Sequence, residues 1–349
     1  MTAAPTQAAP AAANEVRREG RQIVDTIIRA RELSLVGVLV LLVLGTTLAN
    51  SRFLNSQNVR DILLNVSIVA LLAIGQTVVV VTRNIDLSVG SVLGISAFLT
   101  GVLFADHQAA IPVAFAAGIA FGALFGLVNG AMVAFARVPS LVITLGTLYV
   151  IRGIDFSWAH GRQINAADMP DGFLSLGDDT VLGIPLLALI TVAVLLVVGT
   201  VMRSSRMGRE LYAIGSNPDA ATLAGIRVTR RVLGAFVASG ALAGLAGVLY
   251  AARFGTLDAN AGSGQELAVV AAVVVGGVAI FGGSGSVYGA ALGALLLGCI
   301  GSALVILKVN QFWEQAIDGF LLLVAIGLDR LLALRVAAVL RKRSGRRAG

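Results

Sequence analysis

The chain has 349 residues, of which 57% are hydrophobic and only 13% charged, and its formal net charge is +7. Soluble domains hold about 25% charged residues, and a soluble core of this length has room for one or two apolar runs of helical membrane-span length, not for the many found here. The composition excludes a soluble globular enzyme and predicts an all-α polytopic membrane protein, since about 20 apolar residues cross the ~30 Å hydrocarbon core as one helix.

The first residues, "MTAAPTQAAPAAAN", are rich in Ala and Pro and read as a disordered start to a cytoplasmic tail spanning 1–32. The first apolar run begins only near residue 33 and no small-residue cleavage site follows it, so no cleaved signal peptide is expected. About ten spans are predicted, at 33–49, 62–82, 87–104, 112–135, 138–153, 184–202, 231–252, 266–282, 286–307 and 312–332. They form one transmembrane domain, 33–332, interrupted by two long loops at 154–183 and 203–230 and followed by a basic tail, 333–349.

Basic residues near span ends gather on the cytoplasmic side. With the N-terminus inside, 20 of the 26 Lys and Arg fall on inside segments, including six Arg between 203 and 231 and seven basic residues from Arg330 onward. The outside keeps six: Arg52, Arg60, Arg152, Arg162, Arg253 and Lys308. Both termini and loop 203–230 are therefore expected in the cytoplasm, and loop 154–183 outside. The positive charge then reflects topology. The tail "RKRSGRRAG" is expected to lie on anionic inner-leaflet lipid rather than on nucleic acid.

Reactive chemistry is sparse. His107 and His160 fall in outside loops without zinc-type spacing. Cys299 is the only cysteine, lies in an apolar span and can form no intrachain disulfide. No G-x-S-x-G nucleophile elbow occurs. With Lys308 and Lys342 the only lysines, no G-x-x-x-x-G-K-[ST] phosphate loop exists. The sequence predicts no enzyme, metal or cofactor in this chain, and energised work would draw on another subunit.

An internal repeat relates spans 2–5 to spans 7–10. Asp86-Leu87-Ser88-Val89 opens span 3 and Glu266-Leu267-Ala268-Val269 opens span 8. Span 4 carries Gly118, Gly122, Gly126 and Gly130, and span 9 carries Gly285, Gly289 and Gly293, each four residues apart. Such ladders let helix backbones approach closely in lipid. The units begin five spans apart, an odd number, so they face opposite ways, as in transporters whose substrate path runs between inverted halves.

Two stretches carry the candidate functional residues. In "VTRNIDLSVGSVLGIS", residues 81–96, Arg83, Asn84, Asp86 and Ser88 interrupt the apolar runs. Asp86 is expected to N-cap span 3, with Arg83 three residues earlier neutralising it. "SGQE", Ser263 to Glu266, has capping-box spacing at the start of span 8. Gly90 and Gly94 would let the start of span 3 lie against other backbones, where a gate would form. In "SNPDAATLAGI", Asn217 and Pro218 are expected to open a short helix that Gly225 ends. Asp219, Ala220, Ala221, Leu223 and Ala224 would make a stub able to dock in a partner.

"NIDLSVGSVLGISA", the glycine ladder and "RVPSLVITLGTLYVIRG" resemble the permease subunits of bacterial ATP-binding-cassette (ABC) importers for ribose, xylose, arabinose and related sugars. "GRELYAIGSNPDAATLAGIRV" is similar to that family's large cytoplasmic loop, and "GSGQELAVVAAVVVGGVAIFGGSGSVYGAALGALLLG" to its late spans. The resemblance covers about residues 50–332; the outside loop 154–183 matches poorly, so contacts with a binding protein do not transfer. It implies an inner-membrane assembly of two permease subunits and two ATPases that use the ATP, fed by an extracytoplasmic sugar-binding protein. Branched-chain amino-acid permeases share a looser version of the pattern, and nucleoside transport is a further alternative within this class. An ion-coupled secondary transporter would want a carboxylate near mid-membrane, and no span clearly shows one. Polar span residues Asn65, Gln76, Asn129, Thr144, Glu314 and Asp318 receive no substrate role, and the sequence does not name the sugar.

Overall fold

A backbone in lipid finds no water to satisfy its N–H and C=O groups, so apolar runs that enter a membrane become helices. The computed structural model describes residues 32–136, 138–310 and 312–327. The tail 1–31, the end of the last predicted span and the basic tail 333–349 lie outside the described residues, and with them the placement expected of both termini.

In chain order the helices are α1 (Glu32–Ala49), α2 (Ser56–Val80), α3 (Val89–Ala105), α4 (Ile111–Ala136) and α5 (Ser140–Ala159). After them come α6 (Asp171–Asp178), α7 (Leu186–Ser204), α8 (Arg206–Ser216), α9 (Pro218–Leu223) and α10 (Val228–Phe254). The last are α11 (Gln265–Val275), α12 (Val287–Ile306) and α13 (313–327), which runs to the edge of the described residues. A two-residue antiparallel hairpin, β1 (Thr180–Val181) and β2 (Ile184–Pro185), precedes α7. Seven helices, α1, α2, α4, α5, α7, α10 and α12, are long and apolar enough to cross a membrane. The helices α3 and α11 are apolar but shorter.

The centre is α2, most of which is buried and which touches α7, α10, α11 and α12. Around it, α4, α5 and α7 turn large apolar side chains outward, among them Leu124, Leu145, Tyr149 and Val197. That pattern suits a lipid solvent, where an exposed leucine costs nothing.

Helices α2 and α10 run in opposite directions. At the end where α2 stops, the Val81 carbonyl accepts from Gly283 N–H at 2.9 Å, and α8 packs there too. Helix α10 starts at that same end, where Arg231 meets Glu210 of α8 at 2.5 Å. Helices α3 and α11 follow in opposite senses, and their N-termini meet inside the molecule: a Cβ on Gly90 would lie 2.5 Å from Glu266 Oε2 and 2.7 Å from the Gly262 carbonyl.

The glycines of α4 seat it on α10. A Cβ on Gly122 would overlap the Gly240 carbonyl and lie 2.7 Å from Gly244 Cα; Gly126 meets Phe236, Gly118 meets Val248, and Gly130 meets Phe236 and Leu233. Later in the chain, Gly289 and Gly293 of α12 face Gly276, which follows α11, and Ala272 of α11 in the same way. Gly285 differs from its predicted part in that ladder. It precedes α12 with φ +125°, and a Cβ there would lie 2.6 Å from Val278 Cα, so it shapes a turn and not a helix contact.

Three predicted boundaries change. Span 5 extends to Ala159, because Ile154, Phe156 and Trp158 continue its apolar face until His160 turns left-handed at φ +48°. The loop expected outside is correspondingly shorter and holds α6 and the hairpin. Span 8 is helical only to Val275, since Gly277, Gly282, Gly283 and Gly285 all take positive φ and fold residues 276–286 into turns. Loop 203–230 contains two helices where one was expected; Ser205 opens the unforeseen α8 by accepting from Gly208 N–H at 3.0 Å.

Candidate translocation site and coupling surface

Residues 84–88 enter the protein interior as non-helical chain and deliver Asp86 to a site where it is 1% exposed. Gln76 of α2 spans the Asp86 backbone, donating to its carbonyl at 3.0 Å and accepting from its N–H at 3.2 Å, with the amide oriented to satisfy both. Ser140 Oγ accepts from Ile85 N–H at 3.0 Å, and Thr144 Oγ1 donates to the Ile85 carbonyl at 3.1 Å. The Asp86 carboxylate accepts from Ser88 N–H at 3.0 Å and Ser88 Oγ at 2.7 Å, while Asn129 of α4 donates to Ser88 Oγ at 2.8 Å. Gln76, Asn129 and Thr144, scattered in sequence, thus converge on one break in the helical backbone. Asn84 stays at its lower edge, donating to Thr82.

Three sequence expectations are corrected here. Asp86 does not cap α3. The N-cap is Ser88, without a side-chain cap bond, because Asp86 is held two residues earlier by Gln76 and bonds to Ser88 instead. Arg83 does not neutralise Asp86, since its guanidinium points to α8. The Ser263–Glu266 capping box does not form; α11 starts after Gly264 at φ +83° with no side-chain cap bond. Positive φ at Gly262 and Gly264 lets residues 261–266 press against α3, which a Ser cap in extended conformation would prevent. A Cβ on Gly94 would overlap the Ala261 carbonyl, so both Gly90 and Gly94 are close contacts between α3 and residues 261–266.

Asp155 escaped the sequence reading because span 5 was drawn only to 153, and Arg152, counted among the outside basic residues, received no site role there. Arg152 holds the inserted loop from α5, donating through Nη1 to the carbonyls of Ala259 at 3.0 Å and Ala261 at 2.7 Å. Asp155, one turn further, is fully buried. With Asp86 it makes two buried carboxylates, where the sequence reading had named only Glu314 and Asp318 inside a span. The signal for Asp155 was charge within an apolar run that continues to Trp158.

At the other end of Asp86's segment lies the elbow formed by α8 and α9. Arg83, in a left-handed conformation at φ +67°, donates Nε to the Gly215 carbonyl and Nη2 to the Ser216 carbonyl at 2.7 Å. The last carbonyls of a helix carry partial negative charge and lack intrahelical donors, so a guanidinium there satisfies both needs. Tyr212 Oη donates to the Gly285 carbonyl at 2.9 Å, and burial pushes its hydroxyl up to about 12. Glu210 bonds Arg206 at 2.7 Å and Arg231 at 2.5 Å; hydrogen bonding to Arg206 first, then Arg231, holds its carboxyl below the ordinary value. Asn217 caps α9 by accepting from Ala220 N–H at 3.0 Å, Pro218 fills the first turn, and Gly225 at φ +78° ends it. Ala221 is buried beneath α9, whereas Leu223 is 90% exposed and Asp219, Ala220 and Ala224 also face outward.

Apolar helices long enough to cross a membrane, two helix starts that meet inside the molecule and an exposed helical elbow beside them suit a membrane permease. The family pattern described as branched-chain amino acid transport system / permease component matches residues 58–326, and the chain belongs to that family. It is 36% identical over 304 residues to an autoinducer 2 import system permease protein of Klebsiella pneumoniae, covering 87% of this chain and 88% of the relative. Its counterpart in Salmonella typhimurium is 36% identical over 312 residues, covering 89% of each chain. The Escherichia coli protein is 34% identical over 312 residues, covering 89% of this chain and 90% of its own. No solved structure matches. The chain is therefore a multi-pass inner-membrane permease subunit of an ABC importer, partnered with an ATPase and a substrate-binding protein, and ATP hydrolysis belongs to the ATPase.

Proposed function

We propose that two copies of this chain form the membrane pore of an importer that carries a monosaccharide-sized substrate. In this reading α3, α11 and α13 complete ten membrane-inserted segments, both termini and the α8–α9 elbow are cytoplasmic, and α6 with its hairpin faces the binding protein. The chain itself holds no cofactor, and nucleotide is bound by the ATPase. The autoinducer 2 relatives support a small non-peptide cargo over the branched-chain amino acids of the family description.

The observation that carries the mechanism is the bridge from α8 to the helix breaks. Arg83 joins the end of α8 to the segment leading to Asp86, while Tyr212 and Gly215 join α8 to the turns between α11 and α12. An ATPase that moves α9 would move both breaks together, and the crossing of Gly90 with Glu266 and Gly262 would open or close as the units shift. Asn217 to Gly225 form the docking piece, with Leu223 as its apolar tip. The second copy is placed on α5, whose Gly146 and Gly153 meet nothing within 4 Å in one protomer. Reconstitution with ATPase and binding protein tests the reading: ATP-dependent uptake of ribose, xylose, arabinose or autoinducer 2 is expected, and uptake without the ATPase subunit would refute it.

A further inference from the structure

At the α6 end, a cavity of about 430 Å³ opens between α2, the α10–α11 junction, α12 and α13. Asn58, Asp61 and Asn65 reach it from one face of α2, and Glu314 and Asp318, one turn apart, from α13. Gln265, at the start of α11, forms part of its wall, and its own Oε1 is shielded from solvent without a hydrogen-bond donor among the described residues. Small residues make the space. A Cβ on Gly301 of α12 would overlap Glu314 Oε1, and the neighbouring Gly298 and Ser302 continue the same wall. Ser302 Oγ donates to Asn58 Oδ1 at 2.8 Å and Asn58 Nδ2 donates to the Phe53 carbonyl at 2.8 Å, which fixes that amide in place. Tyr250 and Phe254, their rings 4.3 Å apart between centroids and tilted by 41°, supply an aromatic side.

We infer that this cavity is a subsite on the permease itself for a neutral, polyhydroxylated molecule of monosaccharide size, reached after release from the binding protein; the inference rests on the importer reading above. The volume lies within the about 300–1,000 Å³ of small-molecule pockets and is far larger than a bare cation requires. Carboxylates accept from hydroxyl groups, carboxamides both accept and donate, and ring faces pack on the C–H side of a sugar. No Lys or Arg lines the cavity among the described residues, although the Arg253 guanidinium lies 5.0 Å over the Phe254 ring at its edge. An amino acid would bring a carboxylate beside the three acidic side chains Asp61, Glu314 and Asp318, which outnumber that one nearby guanidinium, so the lining disfavours the cargo in the family's description.

The test uses the complete complex in proteoliposomes, with radiolabelled ribose, xylose, arabinose and leucine as probes, reading uptake and binding-protein-stimulated ATP hydrolysis together. Asn65→Leu and the near-isosteric Asp318→Asn and Glu314→Gln should lower sugar uptake per ATP hydrolysed by about tenfold, the effect of removing one or two ligand hydrogen bonds, while stimulated hydrolysis persists. An unchanged ratio overturns the subsite and leaves the importer intact. Loss of hydrolysis along with uptake in the isosteric variants also overturns it, since these groups would then be holding the fold. Leucine uptake by the wild type overturns the occupant, and a wild type that carries none of the three sugars removes the sugar reading and the subsite together.

Discussion

Arg83 Nη2 donates to the Ser216 carbonyl at 2.7 Å, joining the segment before α3 to the last residue of α8. A charged hydrogen bond of this kind contributes about 1.5–3 kcal/mol when its acceptor is left otherwise unpaired. Arg83→Ala should cut uptake at least about tenfold with normal membrane levels and basal ATP hydrolysis, because α8 would move without the helix break. Arg83→Lys should restore part of it, since an ammonium reaches one carbonyl but lacks the fork. Uptake equal to wild type in the alanine variant would remove Arg83 from the coupling path.

The apolar tip of α9 gives a second prediction. Leu223→Asp should abolish uptake and stimulated hydrolysis while leaving insertion unchanged, because Leu223 is 90% exposed and supports nothing within the protomer. Ala224→Arg, also on the open side, should act similarly. Ala221→Pro should lower protein levels as well, since Ala221 is buried. Co-purification with the ATPase subunit separates lost docking from lost folding.

Helix packing is tested by Gly122→Leu and Gly289→Leu, each of which should cost several kcal/mol and reduce membrane levels or detergent stability, about what overpacking a tight contact costs. Both positions face backbone that cannot yield. Gly146→Leu and Gly153→Leu should leave protomer stability unchanged, since nothing lies within 4 Å of either. If they nonetheless break the complex, measured by its size in detergent, the second copy packs on α5.

Glu210 sets a pH dependence. Its carboxyl is held below its ordinary value of 4.5, so its contribution to seating α8 on α10 is complete above that value and is lost as pH falls through the lowered one. The difference in thermal stability between wild type and Glu210→Gln should be flat from pH 6 to 8 and shrink only under acid conditions. A difference that changes near neutrality would contradict this origin.

Orientation is tested by Ser216→Cys on a Cys299→Ala background. An impermeant maleimide should label it in inverted vesicles and not in intact cells. Labelling from outside would reverse the topology.

The sequence by itself determined the apolar helical segments and the Asn217–Pro218 start of α9, because each depends on local hydropathy, propensity and spacing. The glycine ladder of α4 was legible for the same reason, as only a close backbone contact accounts for four glycines at helical spacing. Tertiary structure decided what those elements touch. Asp86 looked like a helix cap at a membrane boundary, yet Gln76, ten residues earlier, pins its backbone in the interior and moves the cap to Ser88. Arg83 and Asp86, three residues apart, look like an ion pair, but the carbonyls left open at the end of α8 draw the guanidinium away. Asn65, Glu314 and Asp318 were a scatter of polar residues until α2 and α13 faced one another across a cavity. Hydropathy is additive along the chain and can be read from it. The partner of a buried charge or carbonyl is chosen by whichever unsatisfied group the fold brings within about 3 Å, and that choice is made by packing alone.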